Sequence, residues 1–134
     1  LDVSLTNILE EGMEARFARH KRLGKAFKAG IKALGLREIP NSPEISAPTL
    51  SAVYFPEGVD ASLVGKIKEA GVIVAGGLHP EAKDKYFRVG HMGSVNENDI
   101  LATLGAVEQG LAECDYSFEP GAGLSAARSV LQEE

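Results

Sequence analysis

The chain has 134 residues, 44% of them hydrophobic and 25% charged, and its formal net charge at pH 7 is −5. This length suits one domain with a hydrophobic core, and the acidic balance argues against non-specific nucleic-acid binding, which needs a basic surface. The single cysteine, Cys114, excludes an intramolecular disulfide and a multi-cysteine metal site. The lone cysteine also fits a reducing compartment, so we expect an intracellular protein. No apolar run reaches about 18 residues, so we expect no membrane-spanning helix.

The first segment predicts one long amphipathic helix from about residue 4 to residue 34. Ser4 is the expected N-cap, Gly35 the expected stop, and Gly12 a candidate for a bend or a break. A helix of this length often bridges two domains, and the chain begins inside it, so we expect a piece of a larger protein. The apolar residues recur at helical spacing: Leu5, Leu9, Met13, Phe17, Leu23, Phe27, Ile31 and Leu34.

The rest of the chain predicts short strands that alternate with two or three further helices. Asp60 is the expected N-cap of the second helix. The third helix begins with a capping box of Ser94 and Glu97, with Asn96 and Asn98 as competing caps. The strands are expected at 36–39, 50–55, 72–75 and 86–89, and the helices at 60–70, from the capping box to about 113, and, for one or two turns, at 124–131.

This order predicts an α+β fold: a small three- to four-stranded, mainly antiparallel sheet with helices on one face. We divide the chain into a long helix at 1–34, a domain core at 35–114 and a C-terminal extension at 115–134. The strands at 50–55 and 72–75 are apolar on both sides. We therefore expect a partner domain to cover part of the free face.

Arg88 is the first candidate for a functional residue. It lies in a short apolar strand that leads into the Gly-His-Met-Gly loop at 90–93. A guanidinium inside a strand is costly unless an anion meets it, which points to a carboxylate or a phosphate. The alternative is an edge-strand arginine whose head reaches water. Phe87 and Val89 are expected to point to the opposite face.

Two glycines and two histidines are candidates for neighbours of Arg88. Gly76 and Gly77 follow an apolar strand and either take positive φ and shape a pocket wall or form a plain turn. His79 and His91 follow strands, and each either orients a ligand near Arg88 or has a structural role. No phosphate-binding glycine motif, metal-ligand spacing or nucleophile–base pattern is present.

His20 lies on the apolar side of the first helix, with Arg16 one turn earlier. This placement indicates a helix face that meets another domain, or else a core histidine with a hydrogen-bond partner. The remaining basic side chains of the helix are expected on a solvated outer face: Arg19, Lys21, Arg22, Lys25, Lys28 and Lys32.

Four stretches of the chain carry a family resemblance. They are EEGMEARFARHKRL at 10–23, KALGL at 32–36, VIVAGGLHP at 72–80 and YFRVGHMG at 86–93. On these motifs the chain resembles the C-terminal small domain of class V pyridoxal-phosphate-dependent aminotransferases. Within that class it is most similar to alanine–glyoxylate (serine–pyruvate) aminotransferases of the fungal type, and the resemblance runs from about Ile8 to Leu111.

The resemblance implies a fold-type I enzyme whose large domain binds pyridoxal 5′-phosphate on a lysine. Arg88 matches the small-domain arginine that holds the substrate carboxylate, Gly76 and Gly77 match a double glycine near the pocket, and His91 is an expected pocket neighbour. The full-length enzyme is expected to be a homodimer that transfers an amino group from alanine or serine to glyoxylate or pyruvate. The choice among cytoplasm, peroxisome and mitochondrion stays open.

No lysine of the chain has the Schiff-base pattern of that family. The resemblance therefore implies no catalytic, cofactor-binding or metal-binding residue in this chain, no bound cofactor, and no activity of the chain alone. The expected partners are a small amino or keto acid and the protein's own large domain, with no nucleic acid and no membrane. The alternative is a stand-alone ligand-binding or interaction domain without chemistry.

Overall fold

A computed structural model, which describes residues 1–133, shows five α-helices and one three-stranded sheet in that part of the chain. The strand order is β1-β3-β2, and both strand pairs are antiparallel. The predicted α+β fold with a small antiparallel sheet is confirmed. The elements are α1 (Asp2–Glu11), α2 (Met13–Ala33), β1 (Leu50–Tyr54), α3 (Ser62–Glu69), β2 (Ala75–Gly76), β3 (Tyr86–Gly90), α4 (Glu97–Ala112) and α5 (Ala122–Gln132).

The long N-terminal helix is divided in two at Gly12. The φ angle of Gly12 is 81°, in the left-handed region that a residue without Cβ enters at little cost. The first helix begins at Asp2, so Ser4 is an internal residue and not the N-cap. At the far end Gly35 has a φ angle of 75°, and its N–H donates to the carbonyl of Lys32. Gly35 thus ends the helix as predicted.

The predicted buried strand at 72–75 is wrong in both length and burial. Only Ala75 and Gly76 pair as β2, both are exposed, and the Ile73 side chain is 82% exposed. Val72 and Val74 pack against the core, so the apolar run lies along the rim of the domain with one side covered. An unbroken apolar sequence does not distinguish this arrangement from a strand buried on both faces.

The predicted strand at 36–39 and two predicted helix caps also differ from the structure. Of the 36–39 segment, only Glu38 bridges to β1. Helix α3 begins at Ser62, whose N–H donates to the carboxylate of Asp60 at 2.8 Å, so Asp60 forms a turn before the helix. The capping box of α4 is not formed by Ser94 and Glu97. It is formed by Asn96, which was one of the two competing caps, together with Asp99. Asp99 accepts the N–H of Asn96 at 2.7 Å.

The helices cover one face of the sheet and enclose a single core. Helix α5 has three turns, longer than expected, and packs against α2 and α4 with Ala127 and Leu131 buried. The division at 115 stays a prediction. No helix among residues 1–133 is long and apolar enough to cross a bilayer. The largest fully buried side chains are Phe27, Phe87, Leu23, Ile31, Leu34, Leu63, Ile67, Leu104, Leu111, His91, Val53 and Val107.

Glu108 of α4 fixes the start of α5, a role that the sequence pattern did not predict. Its buried carboxylate accepts N–H groups from Gly121 at 2.8 Å, Gly123 at 3.1 Å and Leu124 at 3.3 Å. These donors would otherwise be unsatisfied at the helix N-terminus, where a negative charge is also favourable. The ion–amide contacts therefore join the C-terminal helix to the core.

Candidate functional site

Arg88 lies on the central strand of the sheet and not on an edge strand, although its guanidinium is exposed, as the alternative interpretation expected. Its register partners are Ala52 on β1 and Ala75 on β2. Residues directly opposite in an antiparallel pair point to the same face. Arg88 is therefore flanked by two of the smallest side chains, which leaves its guanidinium open on both sides. Phe87 and Val89 are buried on the opposite, helix-covered face, as the alternation predicted.

The guanidinium of the half-buried Arg88 is oriented at one end and open at the other. Its Nε donates to the carbonyl oxygen of Gly76 at 2.9 Å. Among residues 1–133, Nη1 and Nη2 make no further hydrogen bond, and no carboxylate pairs with them. Two parallel N–H groups with a fixed plane match the two oxygens of a carboxylate. The geometry is thus suited to bidentate anion recognition.

Gly76 and Gly77 serve different purposes. A Cβ at Gly76 would meet nothing within 4 Å. A Cβ at Gly77 would lie 2.5 Å from the carbonyl oxygen of Lys83 and 2.7 Å from Cε1 of Tyr86, which is too close for any side chain. Neither glycine has positive φ. The second glycine is therefore required because the backbone passes close to Lys83 and Tyr86, while the first contributes its carbonyl oxygen.

Tyr86 shares the open face with Arg88, two residues away on β3, and was not singled out from the sequence. Its phenol oxygen accepts the N–H of Leu78 at 2.9 Å and that of His79 at 3.1 Å. These two N–H groups, Leu78 foremost, lower the pKa of Tyr86 below its usual value. The signal that could have found it is the spacing, since residues i and i+2 of a strand share a face.

His91 is placed on the other side of the sheet from Arg88. Its side chain is 1% exposed, its Nε2 lies 3.1 Å from Oγ of Ser51, and its ring centroid lies 5.6 Å from that of Phe27. Burial, followed by the nearby positive charge of Lys28, lowers the pKa of His91 to about 4. The structure therefore gives a neutral core histidine at pH 7, and it does not bring this side chain to the Arg88 face.

The other two histidines make local hydrogen bonds. The exposed His79 accepts the N–H of Glu81 on Nδ1 at 3.3 Å, within its own turn. The buried His20 accepts the N–H of Gly93 on Nε2 at 3.0 Å. His20, on the apolar stripe of α2, thus has its hydrogen-bond partner in the 90–93 loop of this chain.

Arg19 also holds this loop, although the pattern placed it on a solvated face. Its guanidinium donates to the carbonyl oxygens of Gly93 at 3.0 Å and Val95 at 2.7 Å, and it pairs with Glu11 at 2.6 Å. The hydrogen bond from Arg19 is the main reason why the pKa of Glu11 is lowered to about 2. The loop that follows β3 is therefore anchored to α1 and α2.

Two apolar surfaces remain uncovered by residues 1–133. One is the outer side of α1 and the start of α2, the predicted long helix that we expected to bridge two domains. The other belongs to the segments beside β2 and β3. Their exposed members are Leu5, Leu9, Met13 and Phe17 on the helices, and Ile73, Leu78 and Met92 beside the sheet. Exposed apolar surface of this kind is typical of an interaction face.

Arg88 lies on an open face of the domain. Cavities of about 370, 700 and 400 Å³ lie at the N-terminus of α4, between α2 and residues 36–43, and at the start of α5. None of these three is lined by Arg88. Residues 1–133 contain no group of three or more His, Cys, Asp or Glu side chains arranged for a metal ion.

The chain is similar to one part of several aminotransferases, and no family model matches it. It is 38% identical over 136 residues to an uncharacterised aminotransferase of Methanocaldococcus jannaschii, covering 100% of the chain and 34% of that protein. It is 36% identical to the serine–glyoxylate aminotransferase of Methylorubrum extorquens, covering 97% and 33%. The crystal structure of pyridoxamine–pyruvate aminotransferase from Mesorhizobium loti matches with a TM-score of 0.91 at 35% identity, covering 97% and 34%.

The chain thus spans about a third of the length of the curated relatives it matches. The similarity also extends past Leu111, where the motifs had predicted that it would end.

Proposed function

From the premise that this chain has the fold of the C-terminal domain of pyridoxal-phosphate-dependent aminotransferases, we propose that it forms the substrate-carboxylate wall of such an enzyme. The reaction would move an amino group from a small amino acid, alanine or serine, to glyoxylate or pyruvate. A relative named for serine and glyoxylate supports this substrate class. The finer likeness to the fungal-type alanine–glyoxylate enzymes stays a prediction.

The observation that carries the proposal is the free Nη1/Nη2 fork of Arg88. With Nε held by the Gly76 carbonyl, the guanidinium plane is fixed, and its Nη1 and Nη2 N–H groups can donate to both oxygens of an α-carboxylate. An amino donor and a keto acceptor of this class share that carboxylate, so one arginine serves both half-reactions. Loss of such a partly desolvated pair costs on the order of 2–5 kcal/mol.

The open face favours small substrates. Ala52 and Ala75 flank Arg88, and a Cβ at Gly76 would meet only open space. A carboxylate can therefore approach the fork without contacting a bulky side chain. By orienting the substrate at this end, Arg88 would place the reacting carbon for chemistry performed by other residues.

The remaining parts of the enzyme would come from outside this chain. Pyridoxal 5′-phosphate supplies the electron-sink chemistry in related aminotransferases, and the lysine that holds it would belong to the large domain. The exposed stripe of Leu5, Leu9, Met13 and Phe17 supports a large domain of the same protein as the covering partner. A homodimer of the complete protein is part of the same proposal.

Kinetics of the complete enzyme test the role of Arg88. The Arg88→Ala variant should raise KM for both the amino acid and the keto acid by roughly 30-fold or more, because both lose the same ion pair. Arg88→Lys should recover only part of the affinity, since an ammonium keeps the charge without the planar fork. Arg128→Ala, on the exposed side of α5, is the matched control and should leave both KM values unchanged. Unchanged kinetics in Arg88→Ala would refute the assignment.

A second candidate function is a stand-alone binding domain, which could use the free Nη1 and Nη2 groups of Arg88 to bind an anion without chemistry of its own. Titration calorimetry of the 134-residue chain with pyruvate and L-serine separates the two. A binding domain should bind one of them at micromolar concentration. One wall of an active site should show affinity no tighter than millimolar, because a single exposed ion pair contributes only about 1 kcal/mol or less.

A further inference from the structure

The segment that follows β2 is attached to the phenol of Tyr86. Its residues Leu78 and His79 are exposed, whereas Tyr86 is 6% exposed. Both of their N–H groups donate to the phenol oxygen. The Tyr86 ring also lies against Gly77, where even a Cβ would clash with Cε1. An exposed piece of backbone is therefore held by one buried side chain.

The same segment orients Arg88. Gly76, immediately before Gly77, supplies the carbonyl oxygen that accepts the Nε hydrogen bond of the guanidinium. Pairing with β3 involves only Ala75 and Gly76, so the sheet itself fixes little of this segment. Two side chains of one face of β3 thus meet consecutive parts of one short segment: Arg88 at residue 76 and Tyr86 at residues 77–79.

We propose that Tyr86 is a positioning residue for substrate binding, acting through Gly76 on the guanidinium of Arg88. The inference rests on the proposed function of Arg88. Without the phenol oxygen, the N–H groups of Leu78 and His79 turn to water and the segment becomes mobile. The Gly76 carbonyl then no longer fixes Nε, and binding must order the guanidinium. Ordering one long side chain costs enough to weaken binding by about 3- to 10-fold.

The test compares Tyr86→Phe with Tyr116→Phe in the complete enzyme. The control removes a phenol that donates to the Leu34 carbonyl at 3.4 Å, in another part of the fold. Amide hydrogen exchange, followed by mass spectrometry on a peptide covering residues 74–85, reports whether the segment is released. In Tyr86→Phe we expect faster exchange in this peptide alone, KM for both substrates raised 3- to 10-fold, and kcat changed by less than twofold. Tyr116→Phe should change none of these.

A double variant shows whether Tyr86 acts through Arg88. In an Arg88→Ala background, Tyr86→Phe should still accelerate exchange but should not raise KM further. Unchanged exchange in Tyr86→Phe overturns the inference, and so does faster exchange with unchanged KM, or an equal KM increase in both backgrounds. A role in folding alone would lower the melting temperature without moving KM and would also overturn it.

The outcomes separate this inference from the proposed function. If Arg88→Ala raises KM while Tyr86→Phe does not, only the positioning role is wrong. If Arg88→Ala leaves KM unchanged, the proposed function is wrong and the positioning role with it.

Discussion

The two faces of β3 differ in nearly every physical property, although they alternate residue by residue along one strand. Phe87 and Val89, together with the following His91, lie among the helices, and all three are buried. Arg88, which occupies the other face, keeps two nitrogen atoms of its guanidinium without a partner among residues 1–133. If the open face binds the substrate carboxylate through Arg88, as proposed, substitutions of Phe87 and Arg88 should separate stability from recognition.

The two faces of β3 also differ in the charge that they carry. On the covered face burial holds the pKa of His91 at about 4, so even the titratable residue there is neutral at pH 7. On the open face the guanidinium of Arg88 is flanked by the small side chains of Ala52 and Ala75. The open face therefore carries a permanent positive charge that an anion can reach, whereas the histidine on the covered face is neutral at pH 7.

The largest expected effect is the loss of stability in Phe87→Ala. Its fully buried ring stacks near Phe55, and its removal leaves a cavity in the core, so the free energy of unfolding should fall by about 3–5 kcal/mol. Arg88→Ala, one residue away, should change it by less than about 0.5 kcal/mol. Urea denaturation of the 134-residue chain measures both. Equal costs at the two positions would break the distinction between the faces.

His91 should make the stability of the chain depend on pH. Its pKa is lowered from 6.5 to about 4 in the folded state, so the unfolded chain takes up the proton first. Its contribution is complete above pH 6.5, is lost as the pH falls towards about 4, and amounts to at most about 3 kcal/mol. Urea midpoints between pH 7 and pH 4 for the natural chain and His91→Gln measure it. Parallel curves for the two proteins would contradict the neutral buried histidine.

Gly77→Ala should give a smaller loss, confined to the open face. A Cβ there meets the Lys83 carbonyl and the Tyr86 ring, so we expect a cost of about 1–3 kcal/mol. The matched control is Gly65→Ala on the exposed side of α3. A Cβ there meets nothing within 4 Å, and the change should stabilise the helix by about 0.5–1 kcal/mol. Thermal unfolding of both variants is the measurement, and a stabilised Gly77→Ala would refute the close approach.

The sequence was informative where a residue's role follows from local spacing. Alternation placed Phe87 and Val89 opposite Arg88, and the glycine at position 35 marked the end of α2. It was less informative where the role depends on what packs nearby in space. The apolar run at 72–75 reads as a buried strand, but it lies on the rim because only Ala75 and Gly76 reach β3.

The site shows the same limit. The arginine could be found from its strand and the motif around it. Ala52 and Ala75 join it only through strand register, and the contacts of Tyr86 with residues 78 and 79 depend on loop packing. His91 is close to Arg88 in the chain but lies on the opposite face. The two residues are three positions apart, and side chains an odd number of positions apart in an extended segment point in opposite directions. Strand register depends on how distant segments pair, so the sequence of one segment alone does not predict it.

The most direct test of the account compares a carboxylate with its neutral amide. The ratio of kcat/KM for L-serine to that for L-serinamide should be measured in the complete enzyme and in its Arg88→Gln variant. If the fork of Arg88 binds the α-carboxylate, the ratio should be roughly 30 or more in the natural enzyme and should fall to within about threefold of unity in the variant. The same ratio in both proteins would show that another group recognises the carboxylate, and would contradict the account.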